Sequence, residues 1–179
     1  ACYHKANVKV VSVGGGLAYG ALGSSHQATE DLAILRSLPG MTVIAPGDPV
    51  EAAAATRAVA AHDGPCYLRL GKAGEPKVHD GAIDFKLGKA LQLHAGTDLT
   101  IISTGGMLHF CSEAARVLAK SGVSTRHLSM HTVKPIDRDA ILAAARETAA
   151  ILTVEEHSVV GGLGAAVAEV LAQHAERRV

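Results

Sequence analysis

The sequence predicts an α/β protein built as two open α/β domains with mostly parallel sheets, each layered α/β/α. Three observations carry this. Short apolar, β-branched runs alternate with helical stretches, an order that calls for parallel pairing through right-handed crossovers. Aromatic residues make up only 3% of the chain while alanine and glycine abound, which lets helices lie close against a sheet. Between residues 71 and 88 the periodicity fades into lysine, proline and glycine, the composition of a linker. The expected organisation is a first domain over 1–76, a linker over 77–88 and a second domain over 89–179.

Each element follows from local signals. Residues 8–13 are β-branched and close on Gly14-Gly15-Gly16, so they read as a buried strand. Thr29 before Glu30-Asp31 is an N-cap followed by acids, and the helix it opens ends at Pro39-Gly40. Residues 41–45 form the next strand, and Pro46-Gly47-Asp48 leads into a helix starting at Pro49 or Val50. Asp63-Gly64-Pro65 breaks that helix before a third strand over 66–70. The second domain restarts with strands at 90–93 and 99–103. A helix runs from Gly106 to Lys120, a strand covers 123–130, Asp137 caps another helix, and a strand covers 150–154. Gly161-Gly162-Leu163-Gly164 opens a last helix reaching to about Arg177.

Lysine plus arginine balance aspartate plus glutamate, 17 against 17, which removes any electrostatic case for nucleic acid or an anionic membrane. Arg177-Arg178 reads as a solvated terminus. Cys2, Cys66 and Cys111 lack CxxC spacing and read as small buried hydrophobes in a reducing compartment. No apolar run approaches the roughly 20 residues of a spanning helix, and no signal peptide opens the chain, so a cytoplasmic location is expected. The chain opens at Ala1 close to a strand and closes inside a helical pattern, so further sequence is expected on both sides.

Two glycine-rich turns raise the question of nucleotide binding. Gly14-Gly15-Gly16 has neither GxGxxG spacing nor a Walker lysine. Gly161-Gly162-Leu163-Gly164 follows Glu155-Glu156, whose charge repels a pyrophosphate. Both read as packing glycines. The stretch Gly23-Ser24-Ser25-His26-Gln27-Ala28-Thr29-Glu30-Asp31-Leu32 is more informative. It puts a histidine in a loop at the C-terminal edge of a parallel sheet, where ligands bind in open α/β folds. An imidazole there suits proton transfer near neutral pH. The residue pattern by itself fits a solvated surface histidine equally well. The remaining histidines show no metal-ligand spacing, so no metal site is expected on this chain.

His26-Gln27, Glu30, Leu32, the run Leu35-Arg36-Ser37-Leu38-Pro39-Gly40-Met41 and Pro46-Gly47-Asp48 with Glu51 resemble the pyrimidine-binding block of transketolases. Gly64-Pro65-Cys66-Tyr67-Leu68-Arg69-Leu70-Gly71-Lys72 resembles the strand that ends that block. Ile101-Ile102-Ser103-Thr104-Gly105, Val133-Lys134-Pro135-Ile136-Asp137 and Val154-Glu155-Glu156-His157 with Gly161-Gly162 are similar to the family's C-terminal domain. Together these blocks cover nearly the whole chain in order.

The resemblance implies a partial pyrimidine-binding domain joined to a transketolase C-terminal domain. It implies thiamine diphosphate and magnesium as cofactors, and transfer of two-carbon ketol units between sugar phosphates. It assigns His26 to catalysis and cofactor contact, near the thiazolium and the substrate carbonyl, and Lys72 to the substrate phosphate. Arg36 is implied to line the same cleft as a substrate-binding residue, and Arg69 to be structural. The activating acid, the stacking aromatics and the metal–diphosphate motif are not found here. The implied partner is therefore a diphosphate-binding domain or N-terminal subunit within a homo- or hetero-oligomer, with the fragment alone inactive. Gly14 and Leu22 occupy positions where transketolases carry a sugar-reading histidine and aspartate. A deoxyxylulose-phosphate synthase, a 2-oxoacid dehydrogenase β subunit and a non-catalytic module on the same scaffold stay open at this point.

Overall fold

A computed structural model describes residues 1–174; Arg177 and Arg178 lie outside the described residues. The element order is β1 (Lys9–Val13), α1 (Asp31–Ser37), β2 (Thr42–Ile44), α2 (Pro49–Ala61), β3 (Cys66–Leu70), β4 (Leu91–His94), β5 (Leu99–Ser103), α3 (Met107–Lys120), β6 (Thr125–Ser129), β7 (Thr132–Lys134), α4 (Arg138–Glu147), β8 (Ala150–Val154) and α5 (Leu163–His174). Two 3₁₀ turns, Gly20–Leu22 and Ser24–His26, fill the loop after β1.

The strands form two four-stranded sheets. The first has the order β1-β3-β2-β7, and the second β4-β6-β5-β8. In the first, β1, β3 and β2 are parallel and β7 is antiparallel. In the second, β6, β5 and β8 are parallel and β4 is antiparallel. The parallel cores are the βαβ units read from the sequence. The antiparallel members sit at the sheet edges, where no crossover helix is needed.

Burial follows from layer and position. Leu32 packs with Met41, Val43 and Tyr67 on one face of the first sheet, and Ala55 and Val59 of α2 cover Ile44, Cys66 and Leu68 on the other. In the second domain Ile141 of α4 and Leu163, Val167 and Val170 of α5 cover Ile102 and Leu128. β1, expected to be buried, is an exposed edge strand: Val10, Val11 and Val13 are 43–58% exposed. Its apolar run resembles that of an interior strand, but sheet order leaves it with one neighbour.

β7 departs from the sequence pattern. It comes from the second half of the chain yet pairs with β2 of the first, at Val43↔Lys134 and Ile44↔Thr132. Val133 and Ala166 likewise join the core around Leu32.

The linker carries no regular structure but is docked. Asp48 caps α2 by accepting from the Glu51 N–H at 2.8 Å, and its other oxygen accepts from the N–H groups of Val78 and His79 at 2.9 and 3.0 Å. Glu51, fully buried, accepts from Gly47 N–H at 2.7 Å and meets His79 Nε2 at 2.9 Å. Asp137 repeats the device at the far end, capping α4 through Ala140 N–H while accepting from Ala90 N–H at 2.9 Å. Phe85 stacks on the buried His131 with ring centroids 3.9 Å apart.

Candidate active site

The site is built at the C-terminal edge of the first sheet. β1 and β3 run parallel and end level, with Val13 opposite Leu70. The chain leaving β1 is pinned there, because Gly14 N–H donates to the carbonyls of Leu70 and Gly71, and Gly15 N–H to Leu70. The loop carrying His26 therefore starts beside the turn carrying Lys72.

Two close approaches require the glycines. Gly14 has φ of 87°, a left-handed backbone, and a Cβ there would collide with the ring of Tyr19. A Cβ at Gly15 would run into the Arg69 side chain. Tyr19 thus lies across the position where transketolases are expected to carry a histidine, and Leu22 is 58% exposed.

His26 ends the second 3₁₀ turn and is exposed, with Ser25 Oγ 3.1 Å from its Nδ1. Lys72 is exposed and lines a pocket of about 270 Å³ with Val13, Pro46, Pro49, Leu70 and Glu75. The His26 loop and Lys72 thus share one sheet edge. Arg36, expected in the same cleft, is committed elsewhere. Its guanidinium donates to the carbonyls of Gly161 and Gly162 at 2.5 and 3.2 Å and pairs with Glu169 at 2.8 Å. It fastens α1 to the start of α5.

Arg69 is 4% exposed and ties several elements together. Its Nη2 donates to Ala28 O at 2.6 Å and to Glu156 O at 3.0 Å, while Nε lies 2.9 Å from Asp31 Oδ2, out of line for a hydrogen bond. Asp31 also accepts from Tyr67 O–H at 2.7 Å. Beside Arg69 a small cavity between the two sheets is lined by Gly15, Glu75, Gly105 and Glu156. Burial, then the nearby Glu156 and Asp48 carboxylates, push the Glu75 carboxyl above its usual range. No sequence pattern singles out Glu75, whereas Glu156 lies in a family-like block that assigns it no role.

The last glycine turn carries its own anion. Glu155 accepts from the N–H groups of Leu163 and Gly164 at 2.6 and 2.8 Å, so a carboxylate of this chain fills the N-terminus of α5. Gly162 is required because a Cβ would strike Glu155.

Comparison with known proteins agrees with this architecture. The transketolase pyrimidine-binding domain family matches residues 1–75, and the transketolase C-terminal domain family matches residues 88–179. The chain is 43% identical over 173 residues to one subunit of the apulose-4-phosphate transketolase of Phocaeicola vulgatus, covering 96% of this chain and 55% of that protein. It is 41% identical over 172 residues to SqwH, a 6-deoxy-6-sulfo-D-fructose transketolase subunit of a Clostridium species, covering 96% and 53%. A solved structure described as a split-gene transketolase, inactive beta4 tetramer, superposes with a TM-score of 0.89 at 43% identity, covering 99% of this chain and 57% of that one. The chain thus spans about half the length of the curated relatives it matches. Fold, motif order and these likenesses together place the chain in the transketolase family, as pyrimidine-binding and C-terminal domains.

Proposed function

We propose that this chain supplies the substrate-facing half of a split transketolase, which moves a two-carbon ketol unit from a ketose to an aldehyde. The observation carrying this reading is the shared sheet edge, where an exposed imidazole loop and an exposed lysine follow adjacent parallel strands. His26 donates to or accepts from the oxygen of the reacting carbonyl. Lys72, at the mouth of its pocket, holds the anionic end of the sugar through charge-assisted hydrogen bonds. Relatives named for apulose-4-phosphate and 6-deoxy-6-sulfo-D-fructose both point to sugars with an anionic terminus. Gly14 and Leu22 leave the sugar-reading positions without polar side chains, which favours substrates other than the common pentose phosphates.

Family membership implies thiamine diphosphate, which supplies the nucleophilic carbon that accepts and releases the two-carbon unit. The donor set on this chain fits the substrate end of that reaction. The diphosphate and magnesium are assigned to a partner chain, as relatives named as single subunits of a transketolase suggest. The active assembly is then a hetero-oligomer whose site is completed across the subunit contact. Free thiols at Cys2, Cys66 and Cys111 support a cytoplasmic setting.

The test is Lys72→Ala in the assembly with its diphosphate-binding partner. KM for phosphorylated ketoses is expected to rise about 10- to 100-fold, the loss of one charged hydrogen bond or more, with little change for the unphosphorylated sugar. Equal effects on both sugars, or none on either, would remove Lys72 from the site.

A further inference from the structure

The geometry points to Arg69 as a positioning residue that sets the place of His26 without touching the substrate. The loop from Leu17 to Gln27 is largely exposed, and the 3₁₀ turns inside it make local bonds. Its position is fixed at the base. Gly16 and Ala28 exchange both backbone hydrogen bonds at 3.0 Å, closing the loop like a short antiparallel bridge. Arg69 then grips the same base from below, donating from Nη2 to Ala28 O at 2.6 Å, two residues beyond His26. The same Nη2 reaches Glu156 O in the second domain at 3.0 Å, and Ser158 N–H donates to Thr29 O at 2.7 Å. The loop base is therefore held against the second domain on two adjacent residues.

Arg69 is suited to this by chemistry and packing. A planar guanidinium can meet a carboxylate and two carbonyls at once, while an ammonium cannot keep that fork geometry. The absence of a side chain at Gly15 is what lets Arg69 pass under the loop. Buried at 4% exposure and neutralised by Asp31, it is firmly held, and a shift of about 1 Å at a reacting group costs up to about a hundredfold in rate. The proposal rests on the reading that His26 acts at the reacting carbonyl, and two measurements separate the failure of one from the failure of the other.

The first is amide exchange on the full chain, which needs no activity. Arg69→Met, with Arg69→Met/Asp31→Asn as the variant that leaves no unpaired buried charge, is expected to speed exchange over residues 17–28 by about tenfold. Amides of Leu99–Ser103 in β5 are expected to keep their rates. The second is kinetics on the enzyme assembled with its partner chain. Both variants are expected to lower kcat by about 10- to 100-fold with KM for the phosphorylated substrate nearly unchanged, and Arg69→Lys is expected to recover only part of the loss. Combined with His26→Ala, Arg69→Met is expected to add no further loss, because it acts through that imidazole. Unchanged exchange in 17–28, or a uniform rise that includes β5, overturns the positioning role. If exchange behaves as expected while His26→Ala alone keeps wild-type kcat, Arg69 still positions the loop but the assignment of His26 fails.

Discussion

At the scale of single residues, the half-buried His79 and the buried His127 give this chain opposing responses to pH. His79 is raised above its ordinary value first by its hydrogen bond to Glu51, against the pull of burial. Its contribution is complete below about pH 6.5 and is lost as pH rises through its folded value. Burial lowers His127 to about 4, while Ser103 and Ser112 hydroxyls hold its neutral ring at 2.8 and 3.3 Å. Its contribution is complete above about pH 6.5 and falls as pH drops toward 4, by on the order of 3 kcal/mol at most. Thermal melts across the pH range should show His79→Gln flattening the alkaline arm and His127→Gln flattening the acid arm; unchanged slopes would disprove both assignments. Under the proposed function His26 acts at the reacting carbonyl instead. His26→Ala in the assembled enzyme is expected to lower kcat about a hundredfold, measured by steady-state kinetics.

At the scale of elements, two aspartates do the same work. Asp48 caps α2 and holds the start of the linker, and Asp137 caps α4 and holds its end. For Asp48 burial would raise the carboxyl, but the N–H groups of Glu51, His79 and Val78 hold it below the usual range. Asp48→Ala removes a cap and two linker bonds, for a loss of about 2–4 kcal/mol by urea denaturation, with faster proteolysis over residues 73–80. A loss confined to α2 capping, about 1 kcal/mol, would show that the linker is held by other contacts. Capping is local and partly legible in the sequence: Asp137 opens its helix as expected, and Pro49 sits in the first turn of α2. Thr29, however, does not cap α1: Glu30 holds the N-cap position and no side chain caps the helix, the Thr29 N–H and hydroxyl donating instead to the Glu30 carboxylate. What Asp48 and Glu51 reach is not legible, since His79 lies 28 residues beyond Glu51. The same holds for Arg36, whose partners at Gly161 and Glu169 are 125 and 133 residues away. The edge position of β1 is hidden for a related reason, as strand order is a property of the sheet. Lys72 is picked out in the sequence only through the family resemblance, which implies a phosphate-binding cation at the position just after β3.

At the scale of the whole molecule, the proposed function makes the largely exposed loop at residues 17–26 and the pocket beside Lys72 one side of a site. The isolated chain is expected to show no ketol transfer and no micromolar binding of thiamine diphosphate with magnesium. Calorimetry with and without the partner chain checks this, and a micromolar constant for the chain alone would contradict it. The strand β7 has a separate consequence. Because it closes the β2 edge from the far side of the linker, the halves are interlocked rather than tethered. A single nick between Gly74 and Pro76 should leave the two pieces co-eluting as one particle, and the uncut chain should absorb heat in one peak. Neither half is then a portable module, and an exchange of second domains among relatives has to carry a matching Thr132–Lys134 strand with it.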